Sequence, residues 1–356
     1  MAVEAISLTD FRALIDTRLE FGPGFNIITG ANGAGKTSLL EAIGYVLQGR
    51  SFLTTHHNEL IKHGRTAAVV FVGYSGHKVG AKRTRSGTTM KLDGNIVRRL
   101  SDIVIRCPVR TLGNRGYELA IAKPAVKREF IDWSLFHVEH SYRQLWLDYR
   151  HALKQRNQIL RDKIQLPLLD YWDTELVNHS NRIADLRAKY CEELSQILSL
   201  DHGNLVRELD ISMSYRAGWD QEDDLAEIYK KNRDRELRFG YTLYGVQRDN
   251  IRITSQGHVV NSVLSRGQVK LLSIAMHLAQ VNLVQRITGK SIVMLVDDLA
   301  SEMDVIAIKS VVAELQRMDL QAFITTIDRV QLVCPPSKDY RLFHVEHGII
   351  RAVSSS

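Results

Sequence analysis

Gly30-Ala31-Asn32-Gly33-Ala34-Gly35-Lys36-Thr37 matches the phosphate-loop pattern G-x-x-x-x-G-K-[ST] at every fixed position. The apolar run Phe25-Asn26-Ile27-Ile28 before it reads as a strand. Leu39, Leu40, Ile43, Val46 and Leu47 after it recur at helical spacing. In that setting the glycines let the backbone curl, so that successive N–H groups face phosphate oxygens. The helix N-terminus adds partial positive charge at the same point. Residues Gly30 to Thr37, with Ser38 next to them, are therefore the expected ATP-binding positions. Lys36 is expected to reach the β and γ phosphates and the Thr37 hydroxyl to ligate Mg2+.

Such a loop needs an acidic strand as partner. Ile292-Val293-Met294-Leu295-Val296-Asp297-Asp298 supplies it. Asp297, at the strand end, is placed to hold Mg2+ through its water shell. Asp298 follows as the group that orients or deprotonates the attacking water, and shares the catalytic role with Lys36.

Leu264-Ser265-Arg266-Gly267-Gln268 opens a long helix about 30 residues before the acidic strand. It resembles the signature motif of ABC-type ATPases. Ser265 and the Gly267 backbone at that helix start, with Arg266 and Gln268, form a second anion site. Ser301-Glu302-Met303-Asp304 follows the acidic strand as the D-loop does in ABC proteins, with Ser301 and Asp304 as its site residues. Thr325-Thr326 ends the next strand, where many relatives carry a His on the γ-phosphate. No His stands there; Thr326 is the candidate sensor and Asp328 the weaker one. In the ABC class the signature faces the γ-phosphate held by the other subunit. The resemblance thus implies an ATP-dependent homodimer with two composite sites, since one chain carries one of each motif.

Working outward, Val3 to Leu8 reads as a strand. Thr66 to Tyr74 and His77 to Arg85 read as a hairpin turning at Ser75-Gly76. Asp93-Gly94-Asn95 marks a second turn. From about Ser141 to Leu200 the period changes to long helices broken at Pro167. Residues 201–240 are polar and carry no assignable pattern. A β-like stretch, Leu243 to Val260, precedes the helix Gly267 to Thr288, the strand Ser291 to Val296, the helix Val305 to Met318 and the strand Ala322 to Ile327. A last hairpin, Arg341 to Val353, turns at His347-Gly348. The fold class is α/β: an ABC-type P-loop ATPase lobe built from both termini, 1–125 and 240–356, with a largely helical second lobe inserted at 126–239.

Several segments narrow the resemblance to the RecF family. They are Leu8-Thr9-Asp10-Phe11-Arg12, the Asn32 to Thr37 loop, Leu39-Leu40-Glu41-Ala42-Ile43, Gly49-Arg50-Ser51-Phe52 and Leu153-Lys154-Gln155-Arg156-Asn157. Gly245-Val246-Gln247-Arg248-Asp249-Asn250 is similar to that family's Gly-Pro-His-Arg-Asp-Asp segment, and Ser265-Arg266-Gly267-Gln268 departs from its Ser-Gln-Gly-Gln by one residue. The resemblance implies an ATPase head related to SMC proteins without a long coiled coil. It implies ATP-dependent dimerisation on duplex DNA near single-stranded gaps and at single-strand/duplex junctions. It further implies slow, DNA-stimulated ATP hydrolysis as a timing switch, and help in loading the RecA recombinase with RecR and RecO as partners.

The 356 residues are 44% hydrophobic and 24% charged, ordinary for a globular protein. No segment nears the ~18 apolar residues of a membrane helix. No secretory leader or lipidation motif is read; a cytoplasmic, nucleoid-associated protein with no membrane partner is expected. Cys107, Cys191 and Cys334 lie far apart, which fits free buried thiols. Phe-His-Val-Glu-His occurs twice, at 136–140 and 343–347, and reads as packed or surface histidines rather than a metal site. The net charge of +7 favours a polyanion. Lys82, Arg83 and Arg85 are the candidate DNA contacts. The alternatives are the ATPase subunit of an ABC transporter, another SMC-like repair ATPase, or a small-molecule P-loop kinase; the segments at 8–12, 153–157 and 245–250 speak against the transporter.

Overall fold

The computed structural model describes residues 2–201, 203–301, 303–327 and 340–353. The chain divides into two compact units: Met1–Glu118 with Arg266–Ser356, and Leu119–Ser265.

The first unit begins with β1 (Val3–Thr9), β2 (Thr17–Glu20), β3 (Phe25–Thr29), α1 (Lys36–Gln48), β4 (Ala67–Tyr74), β5 (His77–Thr84), β6 (Gly87–Leu92), β7 (Asn95–Ile96), α2 (Ser101–Val104), β8 (Val109–Leu112) and α3 (Asn114–Tyr117). The second unit holds α4 (Pro124–Val138), α5 (Tyr142–Asp162), α6 (Leu169–Asp201), α7 (Gly203–Val206), β9 (Ile211–Arg216), α8 (Leu225–Phe239), β10 (Asn250–Ser255), β11 (His258–Val259) and α9 (Val260–Val263). The chain then returns to the first unit with α10 (Arg266–Thr288), β12 (Val293–Val296), α11 (Val305–Arg317), β13 (Gln321–Thr326), β14 (Tyr340–Glu346) and β15 (Ile349–Val353).

Two six-stranded sheets build the first unit. One is antiparallel throughout, in the order β2-β1-β4-β5-β6-β7; the other runs β15-β14-β3-β13-β12-β8 and is parallel except at β15. Ser75 and Gly76 both take left-handed φ between β4 and β5, which matches the twist of the paired strands. Helix α1 touches β4 and β5 of the first sheet and β8 and β13 of the second. Its residues from Leu39 to Leu47 are all buried. The sequence suggested an amphipathic helix; a helix covered on both sides has no polar face to show. β3, β12 and β13 are buried along their length, as expected of strands packed on both faces.

In the second unit α5 packs on α6, and the Leu166-Pro167-Leu168 turn separates them. Residues 201–240, which carry no assignable pattern, form β9 and α8. β10 pairs antiparallel with β9 from Asn250↔Arg216 to Ser255↔Ile211. The compact units therefore divide at 118/119 and 265/266. The sequence pattern puts the second border at 240, because β10 alone reads like any ATPase-lobe strand and nothing local to it announces its partner β9.

Polar contacts organise this unit's centre. Arg187 forms ion pairs with Asp132 at 2.9 Å and Asp249 at 2.7 Å, and donates to the Val246 carbonyl at 2.8 Å. Arg156 pairs with Asp173 at 2.6 Å and Glu236 at 2.7 Å, and donates to Thr242. Asn157 Oδ1 accepts from the Thr242 N–H and hydroxyl. The family-like segments at 153–157 and 245–250 are thus brackets of the unit's interior.

Candidate nucleotide site

β3 ends at Thr29 and α1 starts at Lys36, so residues 30–35 must reverse direction within one loop. Gly30 and Gly35 adopt positive φ, 149° and 116°. A Cβ on Gly30 would lie 2.2 Å from the Val345 carbonyl oxygen, and one on Gly35 2.8 Å from Leu14 Cδ2. Glycine is required at both for conformation and for space. The turn at His347-Gly348 backs the loop, with the Gly348 N–H donating to the Ala34 carbonyl at 3.0 Å.

Lys36 is the first residue of α1. Its ammonium donates to the Gly30 carbonyl at 2.8 Å and the Ala31 carbonyl at 3.0 Å, so it sits in the mouth of the loop. Burial pushes its pKa down, opposed by the charges of Asp298 and Asp297. Thr37 Oγ1 donates to Asp297 Oδ1 at 2.9 Å. The same oxygen accepts from Thr325 Oγ1 at 2.7 Å. The Asp298 N–H in turn donates to Thr325 Oγ1 at 2.8 Å. Burial raises the Asp297 pKa; the Thr325 and Thr37 hydroxyls oppose it, the Asp298 charge adds to it and Lys36 opposes it. Two oxygen donors from opposite ends of the chain thus stand side by side under a cationic loop. That is the donor set a hard divalent cation takes, so Mg2+ and a polyphosphate fit the residues present. Asp298 carries left-handed φ of 51° and is partly exposed beside them.

Two residues that sequence reasoning missed complete the centre. Thr325 ties Asp297 to Asp298; it and its neighbour Thr326, the expected sensor, are both fully buried. Asp328 and Glu302 lie outside the described residues. The second missed residue is Lys270, at the start of the second turn of α10. Its ammonium stands 3.4 Å from the Asp298 carbonyl, bonds the Ser301 carbonyl, and lies 4.0 Å above the Tyr117 ring. Tyr117 donates its hydroxyl to the Asp297 carbonyl at 2.6 Å, and burial keeps that phenol protonated. Nothing in the spacing of a lone buried lysine announces such a contact.

The other expected site residues fall as follows. Ser265 is exposed directly before α10; Arg266 and Gln268 are exposed and Gly267 half-buried on its first turn. Asp304 caps α11, its Oδ1 accepting from the Ala307 N–H at 2.8 Å. Arg12 is joined to Glu41 by two bonds of 2.8 Å, and Ser51 donates to the same carboxylate. Three of the family-like segments therefore meet at one buried acid. Lys82 and Arg83 do not form one patch: Arg83 turns to Asn58 and Thr88, while Lys82 leaves on the other face and Arg85 sits beyond the strand. Cys107 and Cys191 are buried free thiols pushed up to about 12 by burial; Cys334 lies outside the described residues. Among the described residues no helix is long and apolar enough to cross a membrane, and no His, Cys, Asp and Glu cluster has metal-site geometry.

The family model for the RecF/RecN/SMC N terminal domain matches residues 2–351. A protein of Shewanella pealeana named DNA replication and repair protein RecF is 33% identical over 99% of this chain and 100% of its own length. The chain belongs to the RecF family. A RecF of Marinobacter nauticus is 34% identical over 98% of this chain and 99% of its own. Among solved structures, one described as the recombination mediator protein RecF-ATP in RecFOR pathway superposes with a TM-score of 0.86 at 24% identity, covering 99% of this chain and 97% of that one. An SmcHead bound to the C-winged helix domain of ScpA gives 0.64 at 16% identity, covering 99% of this chain and 97% of that one. The fold is thus that of RecF and of SMC heads, the ABC-type ATPase class.

Proposed function

We propose that this chain is a DNA-repair ATPase whose two copies close on ATP and on DNA. The observation that carries this reading is the Thr37–Asp297 pair at 2.9 Å under a full phosphate loop, in a chain whose signature-like run is exposed at the start of a long, largely buried helix. The solved relative described as an ATP complex of a recombination mediator supports it.

Gly30 to Ser38 would take the phosphates on loop N–H groups, with Lys36 exchanging its loop carbonyls for phosphate oxygens. Thr37 and Asp297 would hold Mg2+, which when bound neutralises charge building on those oxygens. Asp298 orients or deprotonates the attacking water. Ser265, Arg266, Gly267 and Gln268 of one copy complete the pocket of the other, and Ser301 of the D-loop lies near the seam. Hydrolysis is slow and times release. The DNA is duplex beside a single-stranded gap, where the protein helps load the recombinase. RecR and RecO are partners on the strength of the pathway named for the solved relative, and the protein works in the cytoplasm on the nucleoid.

Sedimentation with a non-hydrolysable ATP analogue, with and without gapped duplex, tests this. A dimer that forms only with nucleotide and stays on DNA is expected. Ser265→Arg should bind nucleotide as a monomer and fail to pair. A protein that remains monomeric in every nucleotide condition would remove the composite site.

A further inference from the structure

The antiparallel sheet of the first unit has one face on the core and one bare. A single rung of directly paired residues crosses all six strands on the bare face: Arg18, Ser7, Phe71, Gly80, Lys91 and Ile96. Paired residues share a face, so these side chains stand together. The next rungs put Lys82 and Lys78 at two residues either side of Gly80. Phe71 is 51% exposed on β4, where the residues on either side of it are buried, and Ile96 is 67% exposed at the sheet edge.

The Phe71 ring leans across the neighbouring strand: a Cβ on Gly80 would stand 2.6 Å from its Cε1. The glycine makes room for the ring, which keeps half its surface in solvent. Arg18 and Lys91 lie two strands away on either side, roughly 10 Å by ordinary strand spacing. Arg18, Lys78, Lys82 and Lys91 are exposed, and none forms an ion pair with a described residue. Acids gather at the Lys78 end: Glu20 at the β2 corner, Glu4, whose Oε2 would lie 3.8 Å from a Cβ on Gly73, and Asp93, which accepts from the Lys78 N–H; Arg18, Lys82 and Lys91 have no acid directly paired with them.

We infer that this bare face is a seat for single-stranded nucleic acid. A bared ring needs a bared base, and a duplex hides its base faces inside the stack; unpaired bases present theirs and stack on aromatic side chains. Unpaired cations around the ring supply the contacts a phosphate backbone takes. The inference deepens the repair reading on which it rests: the strand laid on the sheet is the gap arm of the junction, and the face contributes affinity without sequence preference.

The test is fluorescence anisotropy of the full-length protein on labelled oligothymidylate and on blunt duplex, across a salt series. Phe71→Leu keeps an apolar cover over Gly80 and removes the stacking surface. It should weaken oligothymidylate binding roughly five- to hundredfold, with duplex binding and thermal midpoint unchanged. Lys82→Gln with Lys91→Gln should lower the salt slope on the single strand by about 1.4. A parent protein that holds duplex while Phe71→Leu holds oligothymidylate as well as the parent overturns this face alone. A parent that holds neither nucleic acid overturns the repair reading with it. Loss of capture of an acidic protein by these variants, with oligothymidylate binding intact, makes the face a protein dock and overturns the inference.

Discussion

Each unit has a buried polar centre, and the two are opposites. In the second unit Arg187 is met by Asp132 and Asp249, and Arg156 by Asp173 and Glu236, so each buried cation has two acids. In the first unit Asp297 has hydroxyls for partners and a raised pKa, and Lys36 rests on carbonyls. A charge matched by its opposite has no affinity left for a ligand. A carboxylate held by two hydroxyls and a lysine held by two carbonyls keep theirs. Segments with equal family likeness can thus be structural in one unit and chemical in the other.

The contrast breaks first at Arg187. Replacing it by Met leaves Asp132 and Asp249 without their cation, and such a loss costs about 3–5 kcal/mol. Urea unfolding followed by circular dichroism checks this, and a change below about 1 kcal/mol would make the network ornamental. Asp297→Asn should behave in the opposite way. Its shape is kept and stability should move little, while ATP turnover should drop by about a hundredfold, the scale of losing one preorganised electrostatic group.

The pH dependence sharpens the same point. A folded-state carboxyl with a raised pKa binds its proton more tightly than the unfolded chain does. Stability from Asp297 therefore falls as pH rises from the ordinary aspartate range through its raised value. Cation binding needs the ionised form, so turnover should rise over that window. Parallel unfolding and ATPase titrations should show opposite slopes, both absent in Asp297→Asn. The smallest effect belongs to Lys270→Met, which frees the Ser301 carbonyl from α10: turnover should fall about tenfold with nucleotide affinity unchanged, since the role is positioning. A matching loss of affinity would assign the lysine to binding instead.

The sequence showed most of the first unit, because a phosphate loop, an acidic strand and period-two hairpins are local signals. Asp297 and Thr37 are legible as residue types; that a third residue, Thr325, holds Asp297 from the other side is not, since pairing of β12 with β13 lies beyond any local window. Helix α8 escaped because only Leu225, Tyr229 and Glu236 of its fifteen residues are buried, too few for a hydrophobic stripe. Its ends were nevertheless written: Asp224 caps the start and Gly240, at φ 75°, closes it. β9, Ile-Ser-Met-Ser-Tyr-Arg, alternates as a strand should and was lost among polar neighbours. Lys82 and Arg83 show the reverse error. Neighbours in a charge run, they are parted by the pleat.

The phosphate loop leans on a segment made much later. Thr29, just before it, donates its hydroxyl to the Phe343 carbonyl, 314 residues further on, and Gly348 grips Ala34. On the ribosome the loop emerges early with nothing behind it. Nucleotide capture must then wait until β14 and its turn have left the exit tunnel, since before that nothing holds the loop in shape.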